Sequence, residues 1–294
     1  MVLMVSGRCD IVAYYTPWFM NRYKDGYVYV RNPFNPKLVS KIDFKNVDII
    51  MFCTKNPLPI INHLKDIKKP ILFHVTLTPY KNDIEVNVIN KNKIIDGIKQ
   101  ISEIIGKENI VVRYDPIFIS NKYTLDYHIK AFDRLCEILD GYIEKIMVSF
   151  IDDYKNVRKN INILKYKELE ENDYEAIGKY FSKSAKKHNI SVQTCAEKRT
   201  LEEYGFDYGE CLSKQLAYTL TGKKFKEQKS RKNVPCHCVE MVDIGTYNSC
   251  NHLCKYCYAN FDETKIKENM SNHDVNSPLL IGNIKDDDMI KERI

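Results

Sequence analysis

The chain has 294 residues, 44% of them hydrophobic and 29% charged, and its 45 basic and 39 acidic side chains leave a formal net charge of +6. These proportions are ordinary for a globular protein with room for one large α/β domain or two small ones. No apolar run approaches the roughly 20 residues that span a bilayer, which excludes a helical membrane anchor within this sequence.

The opening "MVLMVSGRCD" begins with five apolar residues. That is too short for the hydrophobic region of a secretory signal, and no basic leader precedes it, so a cytoplasmic location is expected. In a reducing compartment the ten cysteines read as thiols, metal ligands or redox centres rather than disulfide staples. Strands are predicted at 27–30 (YVYV), 47–53 (VDIIMFC), 71–77 (ILFHVTL), 109–115 (NIVVRYD), 145–150 (KIMVSF) and 190–195 (ISVQTC). Amphipathic helices are predicted at 91–105, 124–140 and 171–188. Strand–helix–strand at this spacing predicts right-handed βαβ units and a parallel sheet. The expected fold class is α/β, with a partial or closed parallel β/α barrel of TIM type over residues 1–200. A cysteine-rich region, 201–294, is expected to pack on it. The final 30 residues are polar and are expected to wrap the outside or fray.

Parallel β/α folds carry chemistry at the carboxyl ends of their strands. Those ends are polar here: Thr54 and Lys55, Thr76 and Thr78, Arg113 and Asp115, Ser149 and Asp152, then Gln193, Cys195 and Glu197. Lys55, Arg113, Asp115 and Glu197 are candidates for catalysis, and Ser149 and Gln193 for cofactor contact. Each alone also reads as a helix cap, a loop contact or a strand-end ion pair. The densest basic stretch, "TGKKFKEQKSRKN" at 221–233, reads as a solvated loop or as a contact for nucleic-acid phosphate.

Cys9, Cys53 and Cys136 are scattered, whereas Cys195, Cys211, Cys236, Cys238, Cys250, Cys254 and Cys257 crowd into the last third. "SCNHLCKYCYAN" (249–260) has the spacing C-x3-C-x2-C. Three thiolates from one short loop suit three corners of a cubane cluster with the fourth iron open to an exogenous ligand. His252 is an alternative fourth ligand, and a helical stripe of buried thiols is a third reading. Subtraction leaves Cys195, Cys211, Cys236 and Cys238, a matched set for a second cluster or a structural zinc. In an extended "PCHC" the two thiols share one side with α-carbons ~6.6 Å apart, at about 3.3 Å per residue.

The C-x3-C-x2-C loop, with Tyr256 before its last cysteine, resembles the cluster loop of the radical S-adenosylmethionine superfamily, and "CNHLCKYCYAN" is similar to that of spore photoproduct lyase. Through "DIVAYYTPWFMNRYKDGYVYVRNPFNP", "CTKNP", "TLTPY", "RYDPI", "QTCAEK", "CHC" and "SPLLIG", most of the chain resembles the family called domain of unknown function 1848. It departs from that pattern at Gly7, Cys9 and Cys53. The resemblance implies a [4Fe–4S] cluster on Cys250, Cys254 and Cys257 whose free iron binds S-adenosyl-L-methionine. It implies reductive cleavage to a 5′-deoxyadenosyl radical, a reducing electron donor, Tyr256 near the adenine and a second [4Fe–4S] cluster on the other four cysteines. The cluster loop usually follows a barrel's first strand; here "VEMVDIGTYN" precedes it near the end, which implies a circularly permuted barrel. The substrate is open among small molecules, peptides and nucleic acid. The alternative is a non-catalytic zinc or iron–sulfur protein, with nucleic acid as one possible partner.

Overall fold

The computed structural model describes residues 1–228 and 236–293. In chain order the elements are β1 (Val2–Val5), α1 (Ile11–Asp25), β2 (Tyr27–Arg31), β3 (Leu38–Asp43), β4 (Ile49–Thr54), β5 (Ile71–Thr76), α2 (Lys91–Ile105), β6 (Ile110–Ile117) and α3 (Leu125–Ile138). They continue with β7 (Lys145–Phe150), α4 (Lys155–Lys159), α5 (Ile161–Leu164), α6 (Glu171–Lys187), β8 (Ser191–Thr194), β9 (Asp207–Tyr208), α7 (Lys214–Thr221), β10 (Met241–Asp243), α8 (Glu263–Ser271) and β11 (Met289–Arg293).

Eight strands form one sheet in the order β10-β1-β4-β5-β6-β7-β8-β9, and every pairing in it is parallel. From β1 to β9 the order advances one way without reversal, so right-handed crossovers place their helices on one face. Strands on both sides of residue 200 share this sheet. Among the described residues no ladder joins its two ends, β9 and β10. No described helix is long and apolar enough to cross a membrane. A separate three-stranded sheet, β11-β3-β2, takes in the predicted strand YVYV, whose antiparallel partner is β3. The tail supplies α8 and β11, and β11 pairs parallel to β3.

Side chains alternate across the main sheet, as strand geometry requires. One face carries Leu3, Val5, Ile50, Phe52, Phe73, Val75, Val112, Tyr114, Ile146, Val148 and Val192 against α1, α2, α3 and α6. Phe132 and Phe181, stacked with centroids 3.8 Å apart, lock α3 to α6. The other face is apolar at its amino end, where Val2, Ile49, Met51 and Leu72 pack under Leu212, Ala217 and Val239. Toward the carboxyl ends it turns polar through Cys53, His74, Arg113, Asp115, Ser149 and Gln193. The local signals agree with the elements: Asp10, Asn90, Thr124, Ser213 and Asp262 cap α1, α2, α3, α7 and α8 through side-chain acceptors.

Candidate functional site: two cysteine centres on the carboxyl rim

The loop carrying Cys250, Cys254 and Cys257 follows β10. Asp243 holds β10 beside β1: its carboxylate accepts from Gly7 N at 3.1 Å, Arg8 Nε at 2.7 Å and Gly245 N at 2.8 Å. A Cβ on Gly7 would lie 2.8 Å from that carboxylate, which explains a glycine at this departure from the family pattern. The loop is braced from several sides. Asn260 Oδ1 accepts from Ser249 N and Cys250 N at 2.8 and 2.9 Å. Asn156 and Asn160 donate to Cys257 O and Lys255 O at 2.8 Å each, and Tyr15 donates to Ser249 O at 2.6 Å.

His252 is engaged inside the protein. Its Nε2 lies 2.8 Å from Asp10 Oδ2 and its Nδ1 3.0 Å from the Tyr14 hydroxyl. A carboxylate acceptor makes Nε2 the donor and leaves Nδ1 to accept from Tyr14. Both ring nitrogens are thus engaged, which leaves the alternative of His252 as a fourth ligand without a free nitrogen in this arrangement. Asp10 also accepts from Thr54 Oγ1 at 3.0 Å and Lys55 N at 2.7 Å, which ties the loop to the end of β4.

Beside Cys254 lies a charge network that sequence reasoning missed. Glu85, 1% exposed, accepts from Lys55 Nζ at 2.8 Å and Thr78 Oγ1 at 2.6 Å, and also from Lys91 and the Tyr256 hydroxyl. Burial works against the Glu85 carboxylate, but the two ammoniums and their hydrogen bonds outweigh it and hold its pKa down at about 2. Burial pushes the Cys250 and Cys254 thiols well up, and the Lys55 and Lys91 cations oppose that push at Cys254. Tyr256 is buried among Glu85, Tyr80 and the Lys55 ammonium, which stands 5.5 Å from its ring centroid.

The second group assembles from separate segments. Cys195 follows β8, Cys211 follows β9, and Cys236 and Cys238 precede β10. Cys195 Sγ is 3.3 Å from Cys211 Sγ, and Cys211 N donates to Cys238 Sγ at 3.2 Å. Hydrogen bonds from Cys195 and Cys238 hold Cys211 well below the usual thiol range, with Arg113 adding to them. Cys195, Cys236 and Cys238 line one small cavity of about 20 Å³. Among the described residues, no three or more His, Cys, Asp or Glu side chains close around one point as a finished ligand set.

Arg113 turns toward this group rather than toward open solvent. Its Nε donates to Asp115 Oδ2 at 2.8 Å, while Nη1 lies 2.9 Å from Met147 Sδ, 3.5 Å from Cys211 Sγ and 3.5 Å from His74 Nδ1. Burial drives His74 down to about 4, so it is neutral. Ser149 Oγ is 3.4 Å from Asp115 Oδ2. Gln193 is buried, with its Nε2 on Glu210 O and its side chain against Gly209. Glu197 accepts from Phe150 N at 2.9 Å, and burial, with Asp152 and Asp115 nearby, raises it to about 8. Of the rim candidates, Lys55 joins the loop, while Arg113 and Asp115 adjoin the second group. Of the basic stretch 221–233, residues 229–233 lie outside the described residues; before them, Lys223 pairs with Asp48 at 2.6 Å.

No curated protein and no solved structure matches the chain. The model of domain of unknown function 1848 matches residues 2–259, most of the length, and the chain belongs to that family.

Proposed function

We propose that this chain is an iron–sulfur enzyme of radical S-adenosylmethionine type, with an open [4Fe–4S] site at Cys250, Cys254 and Cys257 and a second metal site at the other four cysteines. The observation that carries this reading is the charge balance beside Cys254. Two ammoniums, Lys55 and Lys91, flank one carboxylate, Glu85, which leaves one positive charge beside the Cys254 thiol that a thiolate formed on binding a cluster would balance. Three thiols from one braced loop, with His252 occupied elsewhere, suit a cluster that keeps one corner for an outside ligand. When bound, the cluster and S-adenosylmethionine would supply reductive cleavage to a 5′-deoxyadenosyl radical for hydrogen abstraction.

The chain's own residues have distinct tasks in this reading. Asn260, Asn156 and Asn160 hold the loop backbone, so that the thiols keep their spacing without help from the ligand. Asp10 fixes the His252 ring and the end of β4 together. Glu85 holds the ammoniums of Lys55 and Lys91 near Cys254, and the Tyr256 hydroxyl bond to Glu85 anchors the residue beside the last ligand. The place of β10 also supports a partial, permuted β/α barrel: the strand before the cysteine loop comes late in the chain yet opens the sheet order next to β1.

The test is to incubate anaerobically purified protein with dithionite and S-adenosylmethionine and to measure 5′-deoxyadenosine. The reading expects its formation in the native chain and its loss in Cys254→Ala. No product from an iron-loaded native chain, or undiminished product from Cys254→Ala, overturns the enzymatic reading and leaves a non-catalytic metal-binding protein.

A further inference from the structure

We infer that Cys195, Cys211, Cys236 and Cys238 form a site for one tetrahedral zinc ion, with Arg113 as the cation that faces it, and not a second cubane cluster. This inference stands apart from the reading of the 250–257 loop. Three observations carry it.

The first is spacing. Zinc holds thiolate sulfurs at about 2.3 Å, which sets neighbouring sulfurs of a tetrahedron ~3.8 Å apart. Cys195 Sγ and Cys211 Sγ stand 3.3 Å apart, and an outward movement of about half an ångström brings them to that separation. The corner thiolates of a cubane bind different irons, and the cluster core keeps them much farther apart than the ligands of one ion. The second is volume. The cavity lined by Cys195, Cys236 and Cys238 measures about 20 Å³. A cavity that holds one water-sized sphere needs only ~10–15 Å³, so a single ion can be seated among these cysteines.

The third is charge. Four thiolates on one divalent ion leave a net negative site in a protein interior, and such sites are balanced by donors in the surrounding shell. Arg113 Nη1 lies 3.5 Å from Cys211 Sγ, its neighbour Met147 Sδ is 2.9 Å away, and Cys211 N donates to Cys238 Sγ at 3.2 Å. Asp115 secures the other edge of the guanidinium at 2.8 Å, which fixes the edge turned to sulfur. A structural ion here would pin β8, β9 and the segment entering β10 together, three places that no long ladder connects.

The experiment is zinc and iron quantification on the anaerobically purified full chain, the Cys238→Ser variant and the Cys254→Ser variant. The inference expects about one zinc per chain in the native protein. It expects zinc lost with iron kept in Cys238→Ser, and iron lost with zinc kept in Cys254→Ser. If Cys238→Ser does not fold, the native chain stripped of zinc and titrated with Co²⁺ serves instead, and one equivalent is expected to give the visible bands of tetrahedral thiolate coordination. Iron lost from Cys238→Ser, a native chain without zinc, or a Co²⁺ titration without those bands overturns the inference. An iron-free but zinc-loaded native chain sinks the open-cluster reading alone.

Discussion

The loop at 250–257 draws three cysteines from one short run of sequence, whereas Cys195, Cys211, Cys236 and Cys238 arrive from three separated segments. The first group owes its geometry to backbone bracing by Asn260, Asn156 and Asn160, and its charge to Lys55, Glu85 and Lys91. The second owes its geometry to strand order, which sets the end of β8 beside β9, and its charge to Arg113 on β6. Both lie on the carboxyl rim of one sheet, yet they should fail separately. A change to a brace disturbs the loop, and a change to the face of the sheet disturbs the four-cysteine group.

The largest effect that would sharpen this contrast is expected at Glu85. Glu85→Gln leaves two partly buried ammoniums without their shared carboxylate and should cost about 3 kcal/mol at pH 7. The native carboxylate is held at about 2, below its unfolded value of ~4.3, so its stabilisation is fully present above the unfolded value. It is lost as pH falls through the folded value. Urea unfolding at a series of pH values should therefore show the gap between native protein and variant shrinking from about pH 4 toward about pH 2. A gap that ignores pH would show that the Glu85 charge is not what holds the network.

Asn260→Ala comes next. It strips the acceptor from two buried backbone N–H groups and should cost about 2 kcal/mol. In the metal-free chain it should speed alkylation of Cys257 and Cys254 while leaving Cys211 at the native rate. Equal acceleration at Cys211 would break the separation of the two centres. Arg113→Met should release zinc to a chelator roughly tenfold faster, the low end for loss of a surrounding-shell partner, with iron content unchanged. An unchanged release rate would make Arg113 a partner of Asp115 only.

A pH dependence of the opposite sign to that at Glu85 is expected at Glu197. Its folded pKa of about 8 lies above the unfolded ~4.3, so the folded state binds the extra proton between those values. The contribution of Glu197 to stability should fall across that interval as pH rises, and it is read as the gap between the native chain and Glu197→Gln. A gap that grows with pH would place the carboxyl outside its buried setting.

Much of this organisation could be read beforehand, for identifiable reasons. The strands at 49–54, 71–76, 110–117, 145–150 and 191–194 are β-branched and bounded by breakers, and α2, α3 and α6 carry clear apolar stripes. The apolar start of the chain, read against a signal segment, is β1, a four-residue strand between the edge strand β10 and β4 in the parallel order. Helix α1 escaped because Pro17 lies inside it and the backbone departs from helical angles at Tyr15. YVYV is a strand as its alternation implies, but alternation cannot say which sheet it joins. The cysteine groups were legible from spacing and number. Their supports were not, because folding alone makes them neighbours: Tyr256 meets Glu85 across 171 positions and His252 meets Asp10 across 242. Arg113 was legible as a polar strand end, while its orientation toward Cys211 depends on the register of β6 with β7 and β8.

The most direct measurement is the electron paramagnetic resonance spectrum of the dithionite-reduced full chain before and after addition of S-adenosylmethionine. The account predicts a reduced cubane signal whose shape changes on addition and which is absent from Cys257→Ser. A signal indifferent to S-adenosylmethionine, or one that survives in Cys257→Ser, would contradict an open cluster on this loop.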